Sequence, residues 1–482
     1  MSPPVASPAP DAVLPPAGYG RAQRPSGVGR RLAAGALGLL RELLLRLVRL
    51  YHPVIARAGP ALPPSPCIVV ANHPSGLMDP LVLQLAIGRR LAFLGKATLF
   101  SNPVGRLAMA AFSAIAVARR QDARAPEDEE ATAARNAQTF EVCRQLLAQG
   151  GDLALFPEGV SHDHPGLRTL RTGAARIALS ALESPSPPAT LSICPVGLLY
   201  RSKGTFRSQV SALVGDAIDV RAFAAAHGHG ESAVRSLTDA LTLELGRLVL
   251  HAESAAMADG LRLVAALTSP GADVGAVHQR ALQLAAAFAA LQRDDPNRAA
   301  ALVEQAQAFL QMADELGLLA SEDERAALVL EGRAGGAGRV ARATASLLLL
   351  APFGICGVVG NWLPWRLVGW LARRMAGSEQ DVIATYKLIG GLLLFPLGWL
   401  SLAALAFSLG AGVAGGAAVA LAAALTAPLG LRLAERLDVR RRALRAGWLR
   451  LYRADLAFGL AARRRELAQA VQTALGERSA AR

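Results

Sequence analysis

Asn72-His73-Pro74-Ser75-Gly76-Leu77-Met78-Asp79 is the stretch on which the fold turns. It follows an apolar run, Cys67 to Ala71, whose length and β-branched content predict a buried strand. About eighty residues later, Phe156-Pro157-Glu158-Gly159 closes a second run, Leu153 to Phe156. A His and an Asp at the mouth of one strand, and a Glu-Gly at the mouth of the next, place one polar site at the edge of a sheet. An imidazole is the natural general base near neutral pH, and a carboxylate fixes its tautomer. Gly76, between His73 and Asp79, permits a tight turn that brings the carboxyl back onto the ring.

Outward from these motifs, residues 60 to about 220 alternate short apolar segments with helical ones. That alternation predicts an α/β domain with a mixed central sheet flanked by helices. The expected strands are Cys67–Ala71, Leu91–Gly95, Ile115–Ala118, Leu153–Phe156, Leu191–Leu199 and Val210–Val214. The expected helices are Asp79–Ala86, Gly105–Phe112, Glu127–Gln149 and Thr172–Ala181. Residues 221–335 show no strand pattern and are Ala-, Leu-, Gln- and Glu-rich, which predicts a helical domain or insert.

The 482 residues carry a formal charge of +14, and 52% are hydrophobic. A basic chain suits nucleic acid or anionic lipid. Aromatics make up only 5%, with no basic-aromatic interleaving, and this disfavours nucleic acid. Cys67, Cys143, Cys194 and Cys356 fall without pairing motifs and read as small buried residues in a reducing compartment. His162-Asp163-His164 lacks further ligands, so no metal is expected.

Residues 1–29 are rich in Pro, Ala and Gly and read as disordered, with no signal peptide. Residues 30–58 open with an amphipathic helix, Arg30 to Leu50, suited either to a lipid surface or to packing on the domain. Leu388 to Leu431 is 44 residues without a charge. As one helix it would be ~66 Å long, against a hydrocarbon core of ~30 Å. It must fold back, and Gly410, Gly412, Gly415 and Gly416 supply the turn. Arginines from Arg432 to Arg445 follow, so a transmembrane hairpin would return both ends to the cytoplasmic side, before a basic helical tail over 432–482. Ala343 to Trp365 is a second uncharged run, expected either to span once or, with slight preference, to dip in and return.

Four boxes in order make this chain resemble the glycerolipid acyltransferases, in particular the fungal glycerol-3-phosphate/dihydroxyacetone-phosphate acyltransferase subgroup. They are Asn72-His73 through Asp79, Gly95-Lys96 with Ile115 to Arg120, Phe156 to Gly159 extended by Val160-Ser161-His162-Asp163, and Cys194-Pro195-Val196-Gly197. Five residues separate His73 from Asp79 where the commonest form has four, and the usual Thr-Arg after the Gly is absent. The resemblance implies an O-acyltransferase of phospholipid biosynthesis. Acyl-CoA or acyl carrier protein would be co-substrate, with no cofactor. The acceptor would be glycerol 3-phosphate, dihydroxyacetone phosphate or 1-acylglycerol 3-phosphate. His73 would be the base and Asp79 its orienting partner, so that the substrate's own hydroxyl attacks the thioester without a protein nucleophile. Glu158 and Gly159 would shape the pocket, with Ser161 beside them. Lys96, Arg119 and Arg171 would hold phosphate. Backbone N–H groups near Ser75–Gly76 or Gly159 would face the oxyanion. The implied place is the cytoplasmic side of the inner membrane, with membrane lipid as partner. Two other classes compete. A lipid hydrolase would use Ser75 or Ser161, but neither lies in a Gly-x-Ser-x-Gly setting. A non-enzymatic lipid-binding scaffold would have no need of an intact His73, Asp79 and Glu158.

Overall fold

The computed structural model describes residues 28–101, 103–117, 126–269, 272–316, 337–377 and 379–479. Two compact units divide between Leu250 and His251.

The first unit is built on one sheet. Its strands are β1 (Ile55–Ala58), β2 (Cys67–Ala71), β3 (Leu91–Lys96), β4 (Ile115–Val117), β5 (Asp152–Leu155), β6 (Ser192–Tyr200), β7 (Val210–Val214) and β8 (Ile218–Asp219). The order is β1-β7-β6-β2-β5-β3-β4, with β8 paired to β6. β6 runs antiparallel to β7 and β8; the other pairs are parallel. β2 and β5 are buried along their whole length, as strands covered on both faces must be.

The connections explain why the site forms where it does. α2 (Met78–Ile87) carries the chain from β2 past β5 to β3, and α3 (Pro103–Ala111) leads on to β4. α4 (Pro126–Ala148) returns to β5, and α5 (Gly173–Leu182) crosses from β5 past β2 to β6. Right-handed crossovers in opposite directions put their helices on opposite faces. Accordingly α1 (Val28–Tyr51) packs with α2 and α3, while α4 packs with α5. The chain therefore leaves β2 and β5 in opposite senses, and ligands bind at such a switch point, beyond the carboxyl ends of the strands.

α1 packs part of its apolar face on the domain. Leu45 and Val48 are buried, Leu45 against Ala111 and Phe112, whereas Leu39, Leu43 and Leu50 face outward. α6 (Val220–His227) and α7 (Glu231–Leu248) also belong to this unit. A Cβ on Gly197 of β6 would fall 2.3 Å from the Leu248 carbonyl oxygen, so α7 ends directly on the sheet. The expected helical segment 221–335 is thus shared between the units. β1 and β8 are additions to the expected strands. The end of Ile115–Ala118, with Arg119 and Arg120, lies outside the described residues, as do residues 1–27 and 317–336.

The second unit is helical: α8 (Ala255–Thr268), α9 (Val274–Asp294), α10 (Pro296–Glu315), α11 (Ala337–Ala376), α12 (Ile383–Ala406), α13 (Gly412–Tyr452) and α14 (Ala454–Ser479). The stretch Ile383–Leu437, with a mean hydropathy of 2.0, is long and apolar enough to cross a membrane. It breaks at Gly410 (φ +92°) and Gly412 (φ +66°), left-handed conformations that glycine adopts without strain. α12 and α13 then pack together, with Gly416 against the Ala403 carbonyl. Ala343 to Trp365 sits inside the continuous helix α11, so the expected form that dips in and returns is not adopted. The continuation past Pro352 and Pro364 is consistent with neighbouring helices supporting a freed backbone.

Among α11–α13, Phe353, Val359, Trp362, Leu393, Leu400 and Leu425 point outward. Asn361 points inward: its Nδ2 donates to the carbonyls of Gly357 and Ala423, and its Oδ1 accepts from Trp399 Nε1. Asn361→Leu orphans the Trp399 donor. The expected result is a loss of about 1–2 kcal/mol, read as a lower thermal midpoint of the detergent-solubilised chain.

Candidate active site

β2 ends at Ala71, and Asn72 extends the strand by side chain. Its Nδ2 donates to the Leu198 carbonyl and its Oδ1 accepts from Leu198 N, at 3.1 and 2.6 Å. That clamp on β6 fixes the direction in which His73 leaves the sheet. A turn follows in which Met78 N donates to Ser75 O and Asp79 N to Gly76 O, with Gly76 at φ +51°. This turn accommodates the fifth intervening residue and seats Asp79 in the first turn of α2, where the helix dipole favours a carboxylate.

Asp79 is wholly buried, while the His73 side chain keeps 16% of its surface. His73 Nδ1 donates to Asp79 Oδ2 at 2.7 Å, and Ser75 N donates to the same oxygen at 2.7 Å. With Nδ1 committed, Nε2 is the basic atom of the ring. The imidazole lies flat on Phe156, with centroids 4.3 Å apart and planes at 13°.

The turn after β5 supplies the other wall. Gly159 N donates to Phe156 O, and Gly159 takes φ +75°. That backbone conformation favours glycine, and a Cβ there would come within 2.6 Å of Arg171 Nε, so the guanidinium would have to move aside. Glu158 is buried, and its carboxylate gathers three donors: His73 N at 2.9 Å, Arg168 N at 2.8 Å and the His162 ring through Nε2. His162 N in turn donates to the His73 carbonyl. Burial by itself would raise the Glu158 pKa. The bonds from His162, Arg168 and His73, with the charge on His162, outweigh it and hold the carboxyl below its ordinary 4.5.

The structure thus joins His73, Asp79 and Glu158 in one cluster, with Gly159 and Arg171 against it. Lys96 ends β3 on the same edge of the sheet, beyond β5. Ser161 is half-buried in the loop after Gly159. Arg119 lies outside the described residues. One expectation is narrowed, and one competing reading loses support. The N–H groups of Ser75 and Gly159 are already spent on Asp79 and Phe156, so neither is free for an oxyanion. Ser75 Oγ is buried without a hydrogen-bond partner among the described residues, so no base activates it as a nucleophile. The buried cysteines are inert: burial pushes the Cys143 thiol up to about 12 and Cys194 up to about 11.

Four contributors had no role assigned to them from the sequence: Asn72, His162, and the pair His52 and Tyr200 behind Asp79. His52 follows α1, and its Nδ1 donates to the Ser208 carbonyl at 2.8 Å. Burial lowers its pKa, against the pull of that carbonyl and of the Asp79 charge. Both depressed groups imply acid lability. Folding favours neutral His52, so its contribution is whole above its ordinary 6.5 and declines below it. Folding favours ionised Glu158, so that contribution is whole above 4.5 and is lost as pH falls through the depressed value. Thermal midpoints measured between neutral and mildly acidic pH are expected to fall less steeply in His52→Asn than in the parent protein.

Residues 57–199 match the family model described as Acyltransferase. Glycerol-3-phosphate O-acyltransferase 2 of Saccharomyces cerevisiae is 35% identical over 85 residues, covering 18% of this chain and 11% of the relative. An uncharacterized acyltransferase of Schizosaccharomyces pombe is 38% identical over 77 residues, 16% of this chain and 11% of that protein. Glycerol-3-phosphate O-acyltransferase 1 of S. cerevisiae is 32% identical over 100 residues, 20% and 13% of the two chains. The chain spans only about a tenth of the length of these relatives. The crystal structure of the 1-acyl-sn-glycerophosphate (LPA) acyltransferase from Thermotoga maritima aligns with 46% of this chain and 81% of its own, at 16% identity and a TM-score of 0.31.

Proposed function

We propose that residues 57–199, an acyltransferase-family domain, transfer a fatty acyl group to the hydroxyl of glycerol 3-phosphate or 1-acylglycerol 3-phosphate. The donor is a thioester, acyl-CoA or acyl carrier protein. His73 Nε2 takes the hydroxyl proton as that oxygen attacks the thioester carbonyl. The C–O ester bond forms, the C–S bond breaks, and the proton passes to the departing thiolate. The observation that carries this reading is the 2.7 Å bond from His73 Nδ1 to a wholly buried Asp79, which leaves Nε2 as the one basic atom of the ring.

In this reading Lys96, Arg119 and Arg171 hold the acceptor phosphate, and Glu158, Gly159 and Ser161 shape its pocket. Membrane lipid is the partner phase, because acyl donor and product both partition into it. Ile383–Leu437 would lie in the membrane as a hairpin with its arginine-rich end in the cytoplasm, and the acyltransferase domain would work on that side of the inner membrane.

The test supplies the detergent-solubilised chain with labelled acyl-CoA or acyl carrier protein and each acceptor in turn. A labelled ester on a phosphoglycerol acceptor is the expected result. Absence of ester from every acceptor would overturn the reading. Fatty acid released without acceptor, and lost in Ser75→Ala, would replace it with a hydrolase.

A further inference from the structure

Tyr200 closes β6 and is buried, yet it carries a polar hydroxyl at the end of an apolar strand. That hydroxyl donates to Asp79 Oδ1 at 2.7 Å. Asp79 Oδ2 already receives His73 Nδ1 and Ser75 N. Both carboxylate oxygens are therefore anchored, one by the turn and one from a strand 121 residues away in sequence. The tyrosine ring is itself held edge-on by His52, with centroids 5.3 Å apart at 62°, and His52 is fixed by its bond to the Ser208 carbonyl.

We propose that Tyr200 is a positioning residue for the His73–Asp79 pair: its hydroxyl fixes the carboxylate and draws charge from it, and so sets the pH at which His73 becomes a base. The claim rests on the reading of His73 as general base. A carboxylate that accepts a phenol proton is less basic than one without that bond. A less basic carboxylate stabilises the imidazolium less, and His73 is free to accept a proton at lower pH. Tyr200 does not transfer the proton itself. Its hydroxyl is buried and occupied, and burial together with the Asp79 charge raises its pKa well above the ordinary value. Among the described residues, the other charged or titratable groups around the pair include His52 beside Tyr200, Glu158 and His162 on the turn after β5, and Arg171 against Gly159.

The test has two variants and two readouts. In Tyr200→Phe, kcat is expected to fall ~10-fold with acceptor KM within about twofold, since an ionic hydrogen bond is lost away from the substrate. The acid limb of kcat/KM should move up by about half to one pH unit. Installing 3-fluorotyrosine at 200 gives a stronger donor on the same ring, and should move the limb down. The second readout is the pH dependence of His73 acylation by diethyl pyrocarbonate, resolved by peptide mass. It reports imidazole protonation whether or not the chain makes ester. A wild type that forms no ester would defeat the functional reading and leave the modification profiles to decide on Tyr200. His73 profiles that superimpose across wild type and both variants would overturn the proposal. Should Tyr200→Phe fail to fold, the fluorotyrosine variant decides it.

Discussion

His73→Ala is expected to lower ester formation by about 10³–10⁴-fold, and Asp79→Asn by nearly as much, without unfolding the first unit. The alanine variant removes the imidazole that the Asp79 carboxylate orients, and leaves Glu158, Asn72 and the turn in place. The asparagine variant is the sharper probe. Asp79 accepts from three donors: His73 Nδ1, Ser75 N and Tyr200 Oη. An amide of the same shape has one oxygen and one NH2 group. If its oxygen faces Ser75 and His73, its NH2 must meet the Tyr200 hydroxyl, which can turn to accept. If it flips, the NH2 meets His73, and the ring must protonate Nε2, the atom needed as base. Either way the negative charge that stabilises the imidazolium is gone. Turnover with the preferred acceptor measures the loss, and hydrogen exchange of the β2 peptide confirms the fold. Wild-type turnover in either variant would remove His73 from its role.

The second large effect is structural. Glu158→Ala should destabilise the first unit by about 3–5 kcal/mol, the range expected when one member of a buried ionic cluster is removed. The substitution strands His73 N–H, Arg168 N–H and the His162 ring at once. Glu158→Gln should cost less, because its oxygen can take the place of Oε2, which serves Arg168 N–H and the His162 ring, and leave only the His73 N–H opposed by the NH2 group. Hydrogen exchange of peptides covering 68–79 and 156–171 is the measurement. Loss of protection in both peptides together is expected, because the carboxylate ties the two turns to each other. Loss confined to 156–171 would show that Glu158 serves only its own turn.

The central strands were legible because each is a short apolar run that ends on a polar group. β2 and Val210–Val214 emerge with the expected bounds, and Leu91, Ile115 and the Leu153 run within a few residues. β1 was not legible: Ile-Ala-Arg-Ala, after His52-Pro53, shows no apolar run, and it is a strand only because β7 offers it a parallel edge. The meeting of His73, Asp79 and Glu158 could be read from motif order, since parallel neighbours deliver their carboxyl ends to one edge. Tyr200 and His52 could not. Tyr200 looks like the last apolar residue of a strand, and its hydroxyl finds Asp79 only because Asn72 locks β2 against β6. His162 was visible as part of a polar loop, but nothing local says that its ring turns inward to Glu158. The reach of α6 and α7 into the first unit was hidden too, because a helix that caps a sheet and one that belongs to a bundle share the same periodicity.

The flat contact between His73 and Phe156 has a use beyond holding the ring still. Protons above an aromatic face feel its circulating electrons and resonate upfield. Of the eight histidines, His73 and His227 are described as stacked on a phenyl ring, the latter over Phe223. In a spectrum of selectively labelled protein with His227 replaced, the imidazole signal displaced upfield is therefore expected to be His73. It then serves as a built-in beacon, through which arrival of an acceptor at Nε2 can be watched without any turnover.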